Sequence, residues 1–483
     1  MKLSKILSAN LTIDPEISDI VYDSRKAKKD TLFVALKGFA TDGHKYIKNA
    51  YEQGCRAFLV SDDVKLNDDA VVIKTPDTRK KLSEISANFF SHPSEKLKII
   101  GVTGTKGKTT FCSMMYEILK NSPHKVGLIG SLGVFYGKIY KETDNTTPES
   151  YEIQKNLSEM VDAGVEYVVI ESSSLGLKRH RLDDVKFEYG VFTNLGREHI
   201  GGTDHEDFED YINSKALLFK KSKNAVVYRD DKFAERITSG CKGNKLYYGE
   251  SEDCDLILKS HKDILRKGFI GCEFEVSDKK QEEKFTLSMP GKYNALNATG
   301  AILLSRKLGI SDEIIKRALK NLKVDGRTEL MYSDNGINIV VDFAHEGMSM
   351  ENVLKTLKTM TDGRLISLFG SVGGHAFDRR SQMGEASGKY ADLSIITDDD
   401  SGNESAEEIA KEIAKSVEKV GGKYIIEADR EKAIDLAVSI LKSGDVLVLC
   451  GKGNETIMKT AGKIIPYNEK KVLEKVLYKY NFL

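Results

Sequence analysis

Short apolar runs separated by polar turns open the chain: Asp19 to Tyr22, Thr31 to Leu36, Arg56 to Val60 and Ala70 to Ile73. Runs rich in β-branched and aromatic residues predict strands, and helical spacing at Ile47 to Gln53 and Arg79 to Phe90 places helices among them. The turn Ser91-His92-Pro93 closes this small α/β unit, which sets a first boundary at residue 94. A second unit, residues 95–322, begins with the β-branched run Leu97 to Val102, followed by a Gly-rich loop and a helical pattern over Lys108 to Lys120. Val165 to Ile170 and Tyr189 to Phe192 read as further buried strands, and alternation on this scale predicts a mostly parallel sheet covered by helices. Leu256 to Met289 has turn chemistry at Gly268 and Ser277 to Lys280 and reads as antiparallel; helices over Tyr293 to Leu308 and Ser311 to Leu322 end the unit.

The third unit, residues 323–483, repeats the α/β rhythm. Strands are predicted at Ile337 to Val341, Arg364 to Phe369, Leu393 to Ile396, Tyr424 to Glu427 and Val446 to Cys450. Helices over Ser349 to Met360, Ser405 to Val420 and Arg430 to Ser443 separate them, a second doubly wound, Rossmann-like pattern. The fold class is therefore α/β in three domains, the central one built on a parallel sheet.

Composition narrows the function more than the fold. The 483 residues carry 73 Lys+Arg against 73 Asp+Glu, and this zero balance argues against general nucleic-acid or membrane-surface binding. No stretch reaches the roughly 20 apolar residues of a membrane-spanning helix. The 6 Cys are scattered without a CxxC pair and no secretory leader is evident, so reduced thiols and a cytoplasmic location are expected.

The first chemistry is in Gly101-Val102-Thr103-Gly104-Thr105-Lys106-Gly107-Lys108-Thr109-Thr110. Between a strand and a helix, such a loop curls backbone N–H groups around a phosphate, and the helix N-terminus adds positive potential. Gly104, Thr105, Lys106, Gly107, Lys108, Thr109 and Thr110 are the candidate ATP contacts, with Lys108 on the β/γ-phosphates and the Thr109 hydroxyl on Mg²⁺. The general GxxxxGK[ST] spacing is missed by one position, where Val102 stands for glycine. A Gly/Thr-rich turn without function is the competing reading, disfavoured by the strand–loop–helix setting.

Thr103 to Thr110 resembles the loop of the Mur ligases, ATP-dependent ligases of cell-wall peptide synthesis, and further blocks follow in that family's order. They are Asp23-Ser24-Arg25, Asn145 to Pro148, Glu171 to Ser174, Phe192 through His199, Tyr211 to Lys215, Gly291 to Asn297, Asp325-Gly326-Arg327, Asp342 to His345 and Gly451 to Glu455. The resemblance implies the three-domain architecture of that family and is strongest to members that add a diamino acid to UDP-N-acetylmuramoyl-L-alanyl-D-glutamate. It implies activation of a carboxylate by ATP and Mg²⁺ to an acyl phosphate, which the incoming amine then attacks. Glu171 and His199 match metal-ligand positions, although Glu198 replaces the usual Asp before the histidine. Lys215 matches a lysine carbamylated by CO₂ that helps hold a second Mg²⁺; without the family it reads as an ordinary helix-surface lysine. Together with Lys108, these are the expected catalytic residues.

On the same resemblance, Asn294, Asn297, Arg327 and Asp342 match nucleotide contacts. Ser24 and the Gly43-His44 turn match the uridine-diphosphate pocket. Thr146, Thr147, Ser173, Arg179 and Arg181 match positions that hold the muramoyl dipeptide, with Arg179 where glutamine is common. Arg380, Gly451 and Glu455 match contacts to the α-carboxylate and α-amino groups of the incoming amino acid. Where diaminopimelate-adding members carry Asp-Asn-Pro-Arg, this chain has Asp399-Asp400-Ser401-Gly402. With the arginine absent and Asp398, Asp399, Asp400 and Glu404 close by, the loop is expected to favour a distal ammonium. L-lysine is thus the favoured acceptor, with meso-diaminopimelate, L-ornithine or another diamino acid as alternatives. Glu346-Gly347-Met348 and Gly370 to His375 also depart from the family pattern. More distant readings are a folylpolyglutamate synthetase-like ligase, whose N-terminal part would lack the Asp23-Ser24-Arg25 block, and a phosphate-loop switch ATPase. A monomer with no nucleic-acid or membrane partner completes the expectation.

Overall fold

The alternation of apolar runs and polar turns folds into three main sheets with helices between their strands. The computed structural model describes residues 1–38, 41–196, 201, 204–374 and 377–482. By internal contacts the chain divides into two compact units, residues 1–257 with 299–315, and residues 258–298 with 316–483.

The first unit opens with a four-stranded parallel sheet, Asp19–Val21, Thr31–Val34, Ala57–Val60 and Val71–Lys74, in chain order. Successive side chains of a strand face opposite sides. Leu32, Val34 and Leu59 accordingly join a core with Leu3, Ile6, Leu82 and Ile85, while Phe33 and Phe58 join another with Ile47 and Ala50. The helix Thr78–Phe89 is capped by Asp77, whose carboxylate accepts the Arg79 and Lys80 amides.

The same unit holds the central parallel sheet. Its strands lie side by side as Lys245–Gly249, Ser222–Tyr228, Phe187–Phe192, Lys98–Thr103, Tyr167–Glu171 and Val126–Gly130, followed by the antiparallel Gly133–Tyr136 and Ile139–Lys141. Lys98–Thr103 is flanked on both sides by parallel partners, with Thr103 opposite Phe192 and Val102 opposite Glu171. The carboxyl ends of all three strands therefore converge on one crevice, where open α/β sheets bind ligands. The helix Lys108–Lys120 leaves from this edge and buries Phe111, Met114, Met115, Ile118 and Leu119.

The second unit contains the antiparallel strands Phe269–Ser277 and Glu282–Leu287, which follow Leu256–Arg266, and a six-stranded sheet. In that sheet Glu329–Asp334 is an antiparallel edge; Ile337–Asp342, Val446–Cys450, Leu365–Phe369, Leu393–Ile396 and Tyr424–Ile426 follow in parallel. Helices on both faces bury two apolar clusters, one around Leu354, Phe369 and Ile413, the other around Ile434, Leu449 and Leu473.

The predicted elements recur with shifts of a few residues at their ends. The apolar pattern gives no warning of the helix Asp378–Tyr390, because its buried face is Arg380, Met383, Gly384, Ala386 and Ser387, with Met383 its one large apolar side chain. All six cysteines are buried and free. Among the described residues no helix is long and apolar enough to cross a membrane.

Candidate active site

The loop after Lys98–Thr103 is shaped by two glycines. Gly107 has φ +84° and caps the following helix, and Gly104 has φ +155° with Thr193 Oγ1 only 2.0 Å from where a Cβ would stand. The neighbouring strand's extension braces the loop: Thr105 N donates to Asn194 O at 2.9 Å, Lys106 N donates to Asn194 Oδ1 at 2.9 Å, and Thr193 Oγ1 donates to Lys106 O at 2.7 Å. Lys108 Nζ folds over the loop to the Gly104 and Thr105 carbonyls, both at 3.0 Å. Thr110 is buried at the first turn of the helix.

Thr109 Oγ1 donates to Glu171 Oε2 at 3.0 Å, and the Ser131 amide donates to Glu171 Oε1 at 3.0 Å. The sheet register makes this pair, because Glu171 stands beside Val102 at the carboxyl end of the adjacent strand. A buried carboxylate and a hydroxyl at hydrogen-bond separation beside a phosphate loop form a hard-oxygen pair of the kind Mg²⁺ takes. Lys215 is buried, donates to Gly104 O at 2.7 Å and lies 4.3 Å from the Tyr211 ring centroid. It is no surface lysine. His199 falls outside the described residues.

A cavity of about 200 Å³ joins these groups to most of the expected dipeptide contacts. Lys108 and Lys215 line it together with Thr146, Thr147, Ser173, Arg179 and Arg181. Thr147 Oγ1 donates to Glu171 O at 2.7 Å, and Ser173 Oγ caps its helix by accepting the Gly176 amide at 3.1 Å. The two arginines differ. Arg181 is nearly buried, with Nε 3.0 Å from Glu149 Oε1 and Nη1 2.7 Å from Thr147 O, so its fork is spent on the cavity wall. Burial lowers the Arg179 pKa, and the charges of Arg181 and Arg79 push the same way. The charges of Asp204 and Glu149 oppose this shift.

Other expected contacts serve local structure. His44 Nδ1 pairs with Asp42 at 2.6 Å and Nε2 accepts the Ser61 amide at 3.0 Å, so both ring nitrogens are engaged within the first sheet domain. Gly43 packs where a Cβ would meet Leu36 N at 2.8 Å, and Ser24 begins a short 3₁₀ turn capped by Asp23.

In the second unit Asn294 is buried and donates to Pro290 O at 2.8 Å, and Asn297 is buried one turn further along the same helix. Asp342 accepts from the Thr328 amide at 2.6 Å and the Ala344 amide at 2.8 Å; burial raises its pKa, opposed chiefly by Arg327. Arg327 itself lies over the Phe343 ring at 4.7 Å.

The loop expected to select the amino acid is arranged differently from an acidic pocket. Asp398 accepts from Ser401 N at 3.0 Å and Thr460 Oγ1 at 2.5 Å, while Asp400 accepts from Lys452 Nζ and Lys459 N at 2.9 and 2.8 Å. Burial pushes the Asp399 carboxyl up to about 7, against Arg430 and Lys452. Gly402 is tied to the hairpin Ile457–Thr460 and Lys463–Pro466 through Lys459 O and the Gly462 amide. Asp398 and Asp400 thus spend their carboxylates on the hairpin, Ser401 and Lys452, while Asp399 is buried beside them. Arg380 is buried between Glu404 at 2.8 Å and Glu412 at 2.7 Å. Gly451 approaches so closely that a Cβ there would lie 2.0 Å from Asp399 Oδ2, and Glu455 pairs with Lys452 at 2.5 Å. Lys452, fully buried among Asp399, Asp400 and Glu455, was not singled out from the sequence, although the Gly451 to Glu455 block contains it.

A braced phosphate loop, a strand-end carboxylate and a cationic cavity in one crevice define a phosphate-binding enzyme of the α/β class. Family models agree in chain order: the Mur ligase family catalytic domain matches residues 16–90, the Mur ligase middle domain 102–305, and the Mur ligase glutamate ligase domain 326–453. A Clostridium botulinum protein named UDP-N-acetylmuramoyl-L-alanyl-D-glutamate–2,6-diaminopimelate ligase is 39% identical over 468 residues, 96% of this chain and 95% of its own. An Aquifex aeolicus protein of the same name is 35% identical over 463 residues, covering 95% and 94%. A solved structure described under that name superposes with TM-score 0.70 at 23% identity over 100% of this chain and 99% of that one. MurF ligase of Thermotoga maritima, solved with ADP, gives 0.64 at 19% identity over 95% and 97%. The chain belongs to the Mur ligase family and is an ATP-dependent amide ligase.

Proposed function

We propose that this ligase adds diaminopimelate, as the meso isomer, to UDP-N-acetylmuramoyl-L-alanyl-D-glutamate; relatives at 36–39% identity are named as 2,6-diaminopimelate ligases of that substrate. The observation that supports the amide-forming chemistry most is the shared cavity, where Lys108 and Arg179 border one anion-sized space walled by Thr146, Thr147 and Ser173. A carboxylate held there lies beside the loop that carries the γ-phosphate, and positioning with charge neutralisation is what phosphoryl transfer requires. Lys108 draws charge toward the β/γ-phosphates. Thr109 and Glu171 would hold Mg²⁺, whose chemistry is to neutralise the transferring phosphate, and Lys215 as a carbamate would hold a second ion, with His199 as a further ligand. Asn294, Asn297, Arg327 and Asp342 are proposed for the nucleotide, and Ser24, Gly43 and His44 shape the uridine-diphosphate end. Arg380, Gly451 and Glu455 would receive the amino acid.

L-lysine or L-ornithine remains a second reading because Gly402 stands where an arginine would pair a distal carboxylate. Steady-state assays with ATP, Mg²⁺, the UDP-muramoyl dipeptide and each amino acid decide between them. Diaminopimelate is expected to have the highest kcat/KM, and a higher value for L-lysine would refute that choice while leaving the ligase intact.

A further inference from the structure

Beyond the groups assigned above, one buried chain of side chains ends at the cavity. Ser174 lines it and begins the short helix that follows Glu171. Its Oγ is 2.9 Å from His205 Nε2, and Nδ1 of the same ring is 3.0 Å from Asp210 Oδ2. The ring is fully buried and packs edge-on against Tyr211 with centroids 5.1 Å apart. Asp210 also takes Lys178 Nζ at 2.6 Å and the Glu206 amide at 3.2 Å. Burial works against the Asp210 carboxylate, yet the hydrogen bonds from Lys178, Glu206 and His205 hold it below the usual carboxylate range. Burial lowers the His205 pKa, Asp210 opposes it, and Lys178 pushes further down. A neutral ring beside an anion places its proton on Nδ1, leaving the Nε2 lone pair for the Ser174 hydroxyl.

The ligase reaction, on the reading above, needs a proton acceptor in this cavity. When the amine nitrogen forms the new C–N bond, it must shed an N–H proton as the acyl C–O bond breaks and its electron pair leaves on inorganic phosphate. Arg179 and Arg181 are donors only, and Glu171 is held by Thr109 and Ser131.

We propose that Ser174, His205 and Asp210 form a proton relay for the amide-forming step. The amine proton passes to Ser174 Oγ as the serine's own proton moves to His205 Nε2. Asp210 stabilises the resulting imidazolium, which returns its proton through the Ser174 hydroxyl to the departing phosphate. Ser174 touches the reacting nitrogen and is the catalytic member; His205 and Asp210 are positioning residues that act through it. The proposal rests on the ligase reading.

The two half-reactions separate under test. Acyl-phosphate formation is read by scrambling of heavy oxygen between the bridge and non-bridge positions of ATP with the dipeptide substrate and no amino acid. Amide formation is read by product. Ser174→Ala and His205→Gln should each slow amide formation by about a hundredfold or more, the scale of general acid–base catalysis, while scrambling stays close to wild type. Ser174→Thr, which keeps a hydroxyl, should recover part of the loss. If both half-reactions fall together, or neither falls, the relay is overturned. Ser174→Ala removes a single oxygen and carries the test where His205→Gln fails to fold. No scrambling in the wild-type protein would overturn the acyl-phosphate chemistry itself, and the relay with it.

Discussion

Replacing Lys108 with methionine keeps most of the side-chain volume and removes one charge at the phosphate loop. In the resting protein the ammonium makes two hydrogen bonds, to Gly104 O and Thr105 O at 3.0 Å each. Their loss costs stability on the order of 1 kcal/mol apiece. Relief of repulsion against Arg179, which lines the same cavity, offsets part of that. The catalytic loss is larger. A unit charge about 4 Å from a transferring phosphoryl oxygen is worth roughly 4 kcal/mol at an effective dielectric of about 20. At about 1.4 kcal/mol per factor of ten, that is close to three orders of magnitude in rate. ADP release coupled to product formation measures it, with thermal unfolding of the same sample as the control for folding. Lys108→Met should retain a melting temperature within several degrees and lose about a thousandfold in kcat. A variant that keeps its turnover within tenfold would refute the charge argument and the assignment of the loop.

Three further outcomes follow from named contacts. Lys215→Ala should be nearly inactive and partly restored by acetate or formate, because a small carboxylate can take the place of a carbamate near the metal; normal activity in the variant would rule the carbamate out. Glu469→Gln should destabilise the protein by about 3–5 kcal/mol in urea unfolding, since it breaks a fully buried pair with Arg430, Nη2 to Oε1 at 2.6 Å; a loss below about 1 kcal/mol would show the pair is replaceable. Asp399 is raised from its ordinary range to about 7 in the folded protein, so the folded state favours its protonated form. That contribution is present below the unfolded pKa and is lost as pH rises through about 7. Asp399→Asn should flatten the fall in melting temperature between pH 5 and pH 8, to within about the scatter of replicate melts, and an unchanged slope would place the pH dependence elsewhere.

Much of the architecture is legible in the sequence. Period-two and period-3.6 apolar patterns mark burial directly, and the predicted helix from Lys108 to Lys120 coincides with the observed one. The phosphate loop was legible too, because its glycines and its position between strand and helix are local features. Glu171 could be placed near it once the strand ending at Ile170 was recognised, since strand ends of a parallel sheet share one edge.

The partners of charged and polar side chains were decided by the tertiary structure alone. Arg181 donates to Glu149 and to the Thr147 carbonyl, 32 and 34 positions away, contacts that nothing in its local sequence foretells. The aspartates at 398–400 form an acidic run on paper; folding brings Lys452, Lys459 and Thr460 to them and buries Asp399. Ser174 and His205 lie 31 positions apart with no pattern connecting them. The physical reason is range. Hydrophobic periodicity reports each residue's own burial, which neighbours along the chain largely settle. The protonation state and role of a polar group depend on which distant groups approach within about 3 Å, and that is fixed only when sheets and helices have packed.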